Sequence, residues 1–215
     1  MAMKSHKLHW QESMNGVTID CDLDIRVHPA KSSKVLLLIP GVDGSVDGYK
    51  NKYVTIAEQA QAKHNVAVVR MENPFVTSFH WESNIRRILE WIEQNKQDIC
   101  SNDEYNLLVQ GHSAGASVLA SIAHEYPIIR KLLLINIAMS LNADKVLAGL
   151  QKYDGDVTIL MGDSDPSIAA VEEIQFSENS TLAQKVIVEN TDHDFSGDSF
   201  KLFIEASEKY LLGGE

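Results

Sequence analysis

The chain has 215 residues, 44% of them apolar and 23% charged, with a formal net charge of −11. This length fits one compact domain, 1–215, with enough apolar content for a sizeable core, so a disordered chain is not expected. The acidic balance, with no Lys/Arg stripe against it, argues against a nucleic-acid partner. No apolar run approaches bilayer-spanning length, and the first residues lack the apolar segment of a signal peptide. Cys21 and Cys100 have neither zinc-ligand spacing nor the density of a disulfide framework, and are expected to be free thiols. The expectation is a soluble, cytoplasmic protein with no membrane partner.

Residues 7–12 and 17–27 read as two strands around Met14-Asn15-Gly16, because Asn-Gly between extended segments favours a tight hairpin. In the second strand Val17, Ile19, Cys21, Leu23, Ile25 and Val27 alternate with polar residues, which predicts one buried and one wet face. His28-Pro29 ends it. Residues 35–39 form an apolar strand closed by Pro40-Gly41, and a loop rich in Gly and Asp runs from there to Gly48. Tyr53, Ile56, Ala57 and Ala60 then recur at helical spacing. Residues 66–69 are the next strand, followed by the loop Met71-Glu72-Asn73-Pro74-Phe75. Trp81, Ile85, Ile88, Leu89 and Ile92 mark the longest helix, its aromatics read as core.

The next stretch organises the chain. Leu107, Leu108 and Val109 form a short apolar run of the kind a parallel sheet buries on both faces. Ala114, Val118, Ile122 and Ala123 follow at helical spacing, so the period changes from strand to helix across Gly111-His112-Ser113-Ala114-Gly115. Gly-x-Ser-x-Gly in that setting is the nucleophile elbow, a strained turn that lifts a serine hydroxyl above the sheet edge. The glycines on either side remove bulk that would strike neighbouring backbone. The competing reading is an ordinary β–α turn with an inert serine, and partner residues must decide between them.

Residues 132–137, 157–161 and 185–188 complete the strands. Phe200, Phe203, Ile204 and Leu211 mark a final amphipathic helix ending at Gly213-Gly214. Strands and helices alternating in this way predict an α/β fold: a mostly parallel sheet with helices on both faces and an antiparallel hairpin at one edge.

A serine becomes a nucleophile when a base, usually a carboxylate-held histidine, takes its proton. Such groups should lie in loops at the carboxyl ends of parallel strands. His193, in Asn190-Thr191-Asp192-His193-Asp194-Phe195, follows the last strand and is the candidate base. His80 is its rival near such a loop, while His112 should point elsewhere. His6, His9, His28, His64 and His124 read as surface or packing residues. For the carboxylate, Gly162-Asp163-Ser164-Asp165-Pro166 follows the strand at 157–161. Either aspartate lies on the correct side, and spacing alone does not separate them.

Gly111-His112-Ser113-Ala114-Gly115, an aspartate after the next-but-one strand and a late histidine together resemble the α/β-hydrolase superfamily, whose triad runs in that order. The resemblance spans nearly the whole chain. It implies Asp165, in a Gly-x-x-Asp turn, as the triad acid with Asp163 as the fallback. It also implies oxyanion donors at the backbone of Val42 and Ala114, although Pro40-Gly41 stands where the family commonly has His-Gly. About twenty residues separate the strands at 132–137 and 157–161, which leaves no room for the lid that many members carry there. The chain therefore resembles small lidless esterases of the dienelactone-hydrolase-like branch, although true dienelactone hydrolases use cysteine. The implied activity is a carboxylesterase-like serine hydrolase (EC 3.1.1) forming an acyl-enzyme, with no cofactor and no metal.

Asp43, Asp47, Asp163, Asp192 and Asp194 lack calcium-loop spacing and read as solvated loop charge. Four of them, Asp43, Asp47, Asp192 and Asp194, surround the expected pocket mouth, so the expected substrate is a small neutral ester rather than a polyanion such as acyl-CoA. The alternatives are a thioesterase or acyltransferase using the same triad, and a non-catalytic binding protein on a hydrolase scaffold.

Overall fold

A computed structural model describes residues 2–14, 16–74 and 80–213. Asn15, Phe75 and Gly214, and the side chain of His80, lie outside the described residues. Eight strands form one sheet in the order β1-β2-β4-β3-β5-β6-β7-β8. They are β1 (Lys4–Met14), β2 (Val17–His28), β3 (Lys34–Ile39), β4 (Ala67–Met71), β5 (Asn106–His112), β6 (Ile129–Ile135), β7 (Asp156–Gly162) and β8 (Ala183–Val188). The pairs β1–β2 and β2–β4 are antiparallel and all the others parallel. The antiparallel opening and parallel body are as the sequence predicts.

Continuous apolar runs give the central strands two buried faces. On one side Leu36, Leu38, Leu108, Leu133 and Ile135 pack against α1 (Lys52–His64) and α7 (Phe200–Ser207). On the other, Leu37, Ile39, Leu107, Val109, Leu132 and Leu134 pack against α2 (His80–Gln94), α3 (Lys96–Cys100), α4 (Ala114–Ile122), α5 (Met139–Leu150) and α6 (Ile168–Glu172). Fully burying one such side chain stabilises the fold by about 1.5–3 kcal/mol. Two of these helices, α3 and α6, have five residues each, too short to carry a readable period. The last helix does not run straight to its end: α7 passes into a π-helical turn at Glu208–Leu212.

The hairpin departs from the expected alternation at its outer end. Cys21, Leu23, Ile25 and Val27 are buried, but Val17 is 60% exposed and Ile19 only half-buried. β1 pairs with β2 along its whole length, whereas β4 meets β2 only from Ile25 to His28, so the arm runs on beyond the body of the sheet. The core cluster covers it only as far out as Leu23, and burial ends at Cys21. The tip of the arm therefore projects past the layer that would cover it. Cys21 and Cys100 are buried free thiols, and burial pushes both pKa values up.

A parallel sheet collects its carboxyl-end loops on one edge. The loops after β3, β5, β7 and β8 carry Val42, Ser113, Asp165 and His193 respectively.

Candidate active site

Ser113 stands between β5 and α4 with φ 54° and ψ −118°. A side chain in such a conformation costs on the order of 1–3 kcal/mol, which the surroundings must hold in place. The Ser113 N–H donates to the Ile135 carbonyl at 2.9 Å, and its own carbonyl accepts from the Ser117 N–H at 3.0 Å and the Ser117 hydroxyl at 3.2 Å. The flanking glycines are sterically required. A Cβ on Gly115 would lie 2.5 Å from the Pro40 carbonyl oxygen, and one on Gly111 would lie 2.7 Å from Leu119 Cδ1.

His193 Nε2 lies 2.9 Å from Ser113 Oγ, and His193 Nδ1 lies 2.5 Å from Asp165 Oδ2. A carboxylate only accepts, so Nδ1 carries the ring proton and the Nε2 lone pair faces the serine hydroxyl. The Asp165 side chain is 0% exposed, and its other oxygen accepts the Ser167 N–H at 2.7 Å. Asp163 sits elsewhere. It is exposed, and its carboxylate accepts the N–H groups of Asn190 at 2.9 Å and Thr191 at 3.1 Å. Those bonds hold its pKa below the usual aspartate value and tie down the turn that precedes His193. The structure thus brings Ser113, His193 and Asp165 into one hydrogen-bonded line and leaves Asp163 as a brace behind it.

Two positioning groups escaped the sequence reading. Asn136, fully buried with φ 46°, donates from Nδ2 to the carbonyls of Asp192 at 3.1 Å and His193 at 2.7 Å. Its Oδ1 accepts the Gly162 N–H at 2.8 Å, so one amide links the ends of β6 and β7 to the histidine loop. The strand expected over 132–137 ends instead at Ile135, and Asn136 turns out of it. A polar side chain within Leu132-Leu133-Leu134-Ile135-Asn136-Ile137 was the available signal, since a buried amide needs partners. His112 does not point away from the site: its Nε2 donates to the His193 carbonyl at 3.1 Å. Burial, reinforced by the nearby Lys52 charge, pulls the His112 pKa down to about 3, so its ring is neutral.

The loop after β3 is clamped from β4. The Asp43 N–H donates to the Asn73 carbonyl, the Asn73 N–H donates to Gly44, and Asn73 Nδ2 donates to the Pro40 carbonyl at 3.2 Å. Arg70, only 2% exposed, donates to the Val46 carbonyl at 3.0 Å, to Asp47 Oδ1 at 2.5 Å and to His28 Nε2 at 3.2 Å. Val42 lies on this loop, and Ala114 opens α4, where its N–H has no intrahelical acceptor.

Ser113, His193, Val42, Tyr49, Lys52 and Asp194 border a cavity of about 340 Å³, at the small end for a ligand site. Among the described histidines only His112 and His193 line it. A larger groove of about 600 Å³ lies between α2, α4 and α5, away from the serine hydroxyl. Its charges are matched among themselves, with Arg86 pairing to Glu82 and Glu125 and Lys145 to Glu82. The cavity beside Ser113 and His193 is therefore the candidate site.

No protein-family model matches the chain, and no curated protein does either. Solved structures do. Est1E from Butyrivibrio proteoclasticus superposes with a TM-score of 0.70 at 18% identity, over 95% of this chain and 97% of that one. A dienelactone hydrolase from Anabaena variabilis gives 0.66 at 15% identity, over 97% of each chain. The thioesterase domain from the curacin biosynthetic pathway gives 0.61 at 13%, over 94% of this chain and 99% of that one. The strand order, the elbow at the end of β5 and these end-to-end superpositions agree: the chain has the α/β-hydrolase fold.

Proposed function

We propose that this protein is a serine hydrolase that cleaves small carboxylic esters through an acyl-enzyme, in the manner of a carboxylesterase (EC 3.1.1). The observation that carries this reading is the unbroken hydrogen-bond line from Asp165 through His193 to Ser113, 2.5 Å and 2.9 Å long at its two steps. Ser113 Oγ attacks the ester carbonyl while His193 Nε2 takes its proton. Buried Asp165 holds the productive tautomer and stabilises the imidazolium. The N–H groups of Ala114 and Val42 receive the developing oxyanion, each donor worth about 2.7–4 kcal/mol in known cases. His193 then protonates the leaving alcohol, and a water deprotonated by the same ring releases the acid. Protein groups and water supply every step.

Proteins similar in shape include one described as an esterase domain, from Rhodothermus marinus, a dienelactone hydrolase and a thioesterase domain, which supports acyl transfer as the shared chemistry. A cytoplasmic site of action accords with two buried free thiols. The test is hydrolysis of p-nitrophenyl acetate and butyrate by wild type and Ser113→Ala, with fluorophosphonate labelling in parallel. Turnover and labelling that both vanish in the variant support the reading. Folded wild type that neither labels nor turns over ester favours a binding protein, and preferential cleavage of the matching thioesters would move the assignment to a thioesterase.

A further inference from the structure

We infer that the substrate carries a single carboxylate, and that Lys52 in the wall of the cavity is the group that receives it. This inference rests on the hydrolase reading and names its substrate class. Lys52 lines the same cavity as Ser113 and His193 and is only 7% exposed. It is the sole lysine or arginine among the described residues that border it.

Its placement is costly in three ways. Burial penalises the ammonium and pulls its pKa down to about 8, with Asp194 partly offsetting that pull. Lys52 is also the first residue of α1, whose opening turn holds no acidic side chain, and a cation there opposes the helix dipole. Finally, among the described residues no carboxylate forms an ion pair with it. Its contacts are with ring faces, 3.9 Å from the Phe203 centroid and 5.3 Å from that of Tyr53. A methionine or leucine would pack the same stem against the same rings without these costs. A buried ammonium with no carboxylate bonded to it among the described residues, in the wall of the reaction cavity, is the arrangement that an anionic ligand completes.

The expectation of a neutral substrate is revised accordingly. It rested on four loop aspartates, and only Asp194 of these lines the cavity. Asp47 is engaged by Arg70, and Asp192 accepts the N–H and hydroxyl of Ser196. One cation beside one aspartate suits a monoanion and still disfavours a polyphosphate. The reaction is then hydrolysis of a monoanionic ester. The acyl C–O bond breaks, water gives its hydroxyl to the acyl carbon and a proton to the alcohol oxygen, and the new carboxylic acid releases a proton to solvent.

The test compares kcat/KM by pH-stat within two length-matched pairs. Monomethyl glutarate against methyl pentanoate places the charge on the acyl side, and O-butyrylglycolate against propyl butyrate places it on the alcohol side. Wild type should prefer the anionic member of one pair by about 10- to 100-fold, the range of a charge-assisted hydrogen bond. The preference should disappear in Lys52→Met, or in Lys52→Gln if the first variant does not fold. Wild type that cleaves the neutral esters with no preference for either anion, or a preference that survives both substitutions, overturns the inference. Calorimetric binding of the same anionic esters to Ser113→Ala, lost on adding Lys52→Met, reads the anion site without turnover. Binding there with no turnover by wild type would sink the hydrolase reading and keep the anion site.

Discussion

Replacing Asn136 by Ala tests how the histidine loop is held. The substitution removes three buried hydrogen bonds, to the carbonyls of Asp192 and His193 and from the Gly162 N–H. Each is worth about 1 kcal/mol net, and more where the abandoned partner stays buried. Alanine at φ 46° adds about 1 kcal/mol of backbone strain. The expected loss is about 4 kcal/mol, a large share of the ~5–15 kcal/mol that holds a typical domain together. The His193 carbonyl keeps its bond from His112, so the loop is loosened rather than released. Misplacing a reacting group by about 1 Å costs about 10²-fold in rate, and that is the drop expected in kcat per folded molecule. Urea unfolding and ester turnover on the same samples supply both numbers. Asn136→Gly serves as the control: it loses the same bonds without the strain, and should recover about 1 kcal/mol relative to Ala. An Ala variant within 1 kcal/mol of wild type, or unchanged turnover per folded molecule, would refute the clamp.

Other expectations are separable from it. Ser113→Ala should lower kcat by about 10⁶-fold and abolish fluorophosphonate labelling while leaving the fold intact. Asp165→Asn should cost about 10⁴-fold in kcat by favouring the wrong histidine tautomer. Asp163→Asn should instead lower thermal stability with a far smaller effect on rate, and the reverse ranking would exchange the two aspartates. Gly115→Ala puts a methyl 2.5 Å from the Pro40 carbonyl, and should both destabilise the fold and reduce turnover, read by melting and esterase assay together. Stability should also fall on acidification through His112, whose folded pKa of about 3 lies below its unfolded value. The unfolded chain then binds the extra proton, so stability drops as pH falls below about 6.5, by about 2 kcal/mol between pH 7 and pH 5. Urea midpoints across that range should flatten in His112→Gln; an equally steep slope would mean another group dominates.

All eight strands and the reversal of direction at the hairpin were legible, because buried parallel strands write themselves as apolar runs bounded by turn residues. Ser113 and His193 could be singled out for a related reason: the elbow changes the hydrophobic period, and strand ends gather on one sheet edge. What escaped notice was polar and local. Asn136 hid inside an apolar run, and Lys52 flanked the first periodic residue of a helix, where a lysine is ordinarily solvated. Asp163 and Asp165 share a turn and differ only in which one the chain buries, which depends on the path of β8 and its loop. Val17 and Ile19 kept the alternation of a strand but lay at the outer end of the arm, past the core that covers Leu23. Periodicity describes a strand and says nothing of where its cover stops.

His193 is gripped on its main chain independently of the bonds to its ring. His112 and Asn136 both hold the carbonyl oxygen of residue 193, and the Asp163 carboxylate fixes the two amides just upstream. The imidazole can therefore be cut away without releasing the segment that carries it. His193→Ala should keep the shape of the pocket with a vacancy where the ring stood, a ready-made trap that holds intact ester. Free imidazole diffusing into that vacancy should restart the chemistry in proportion to its concentration.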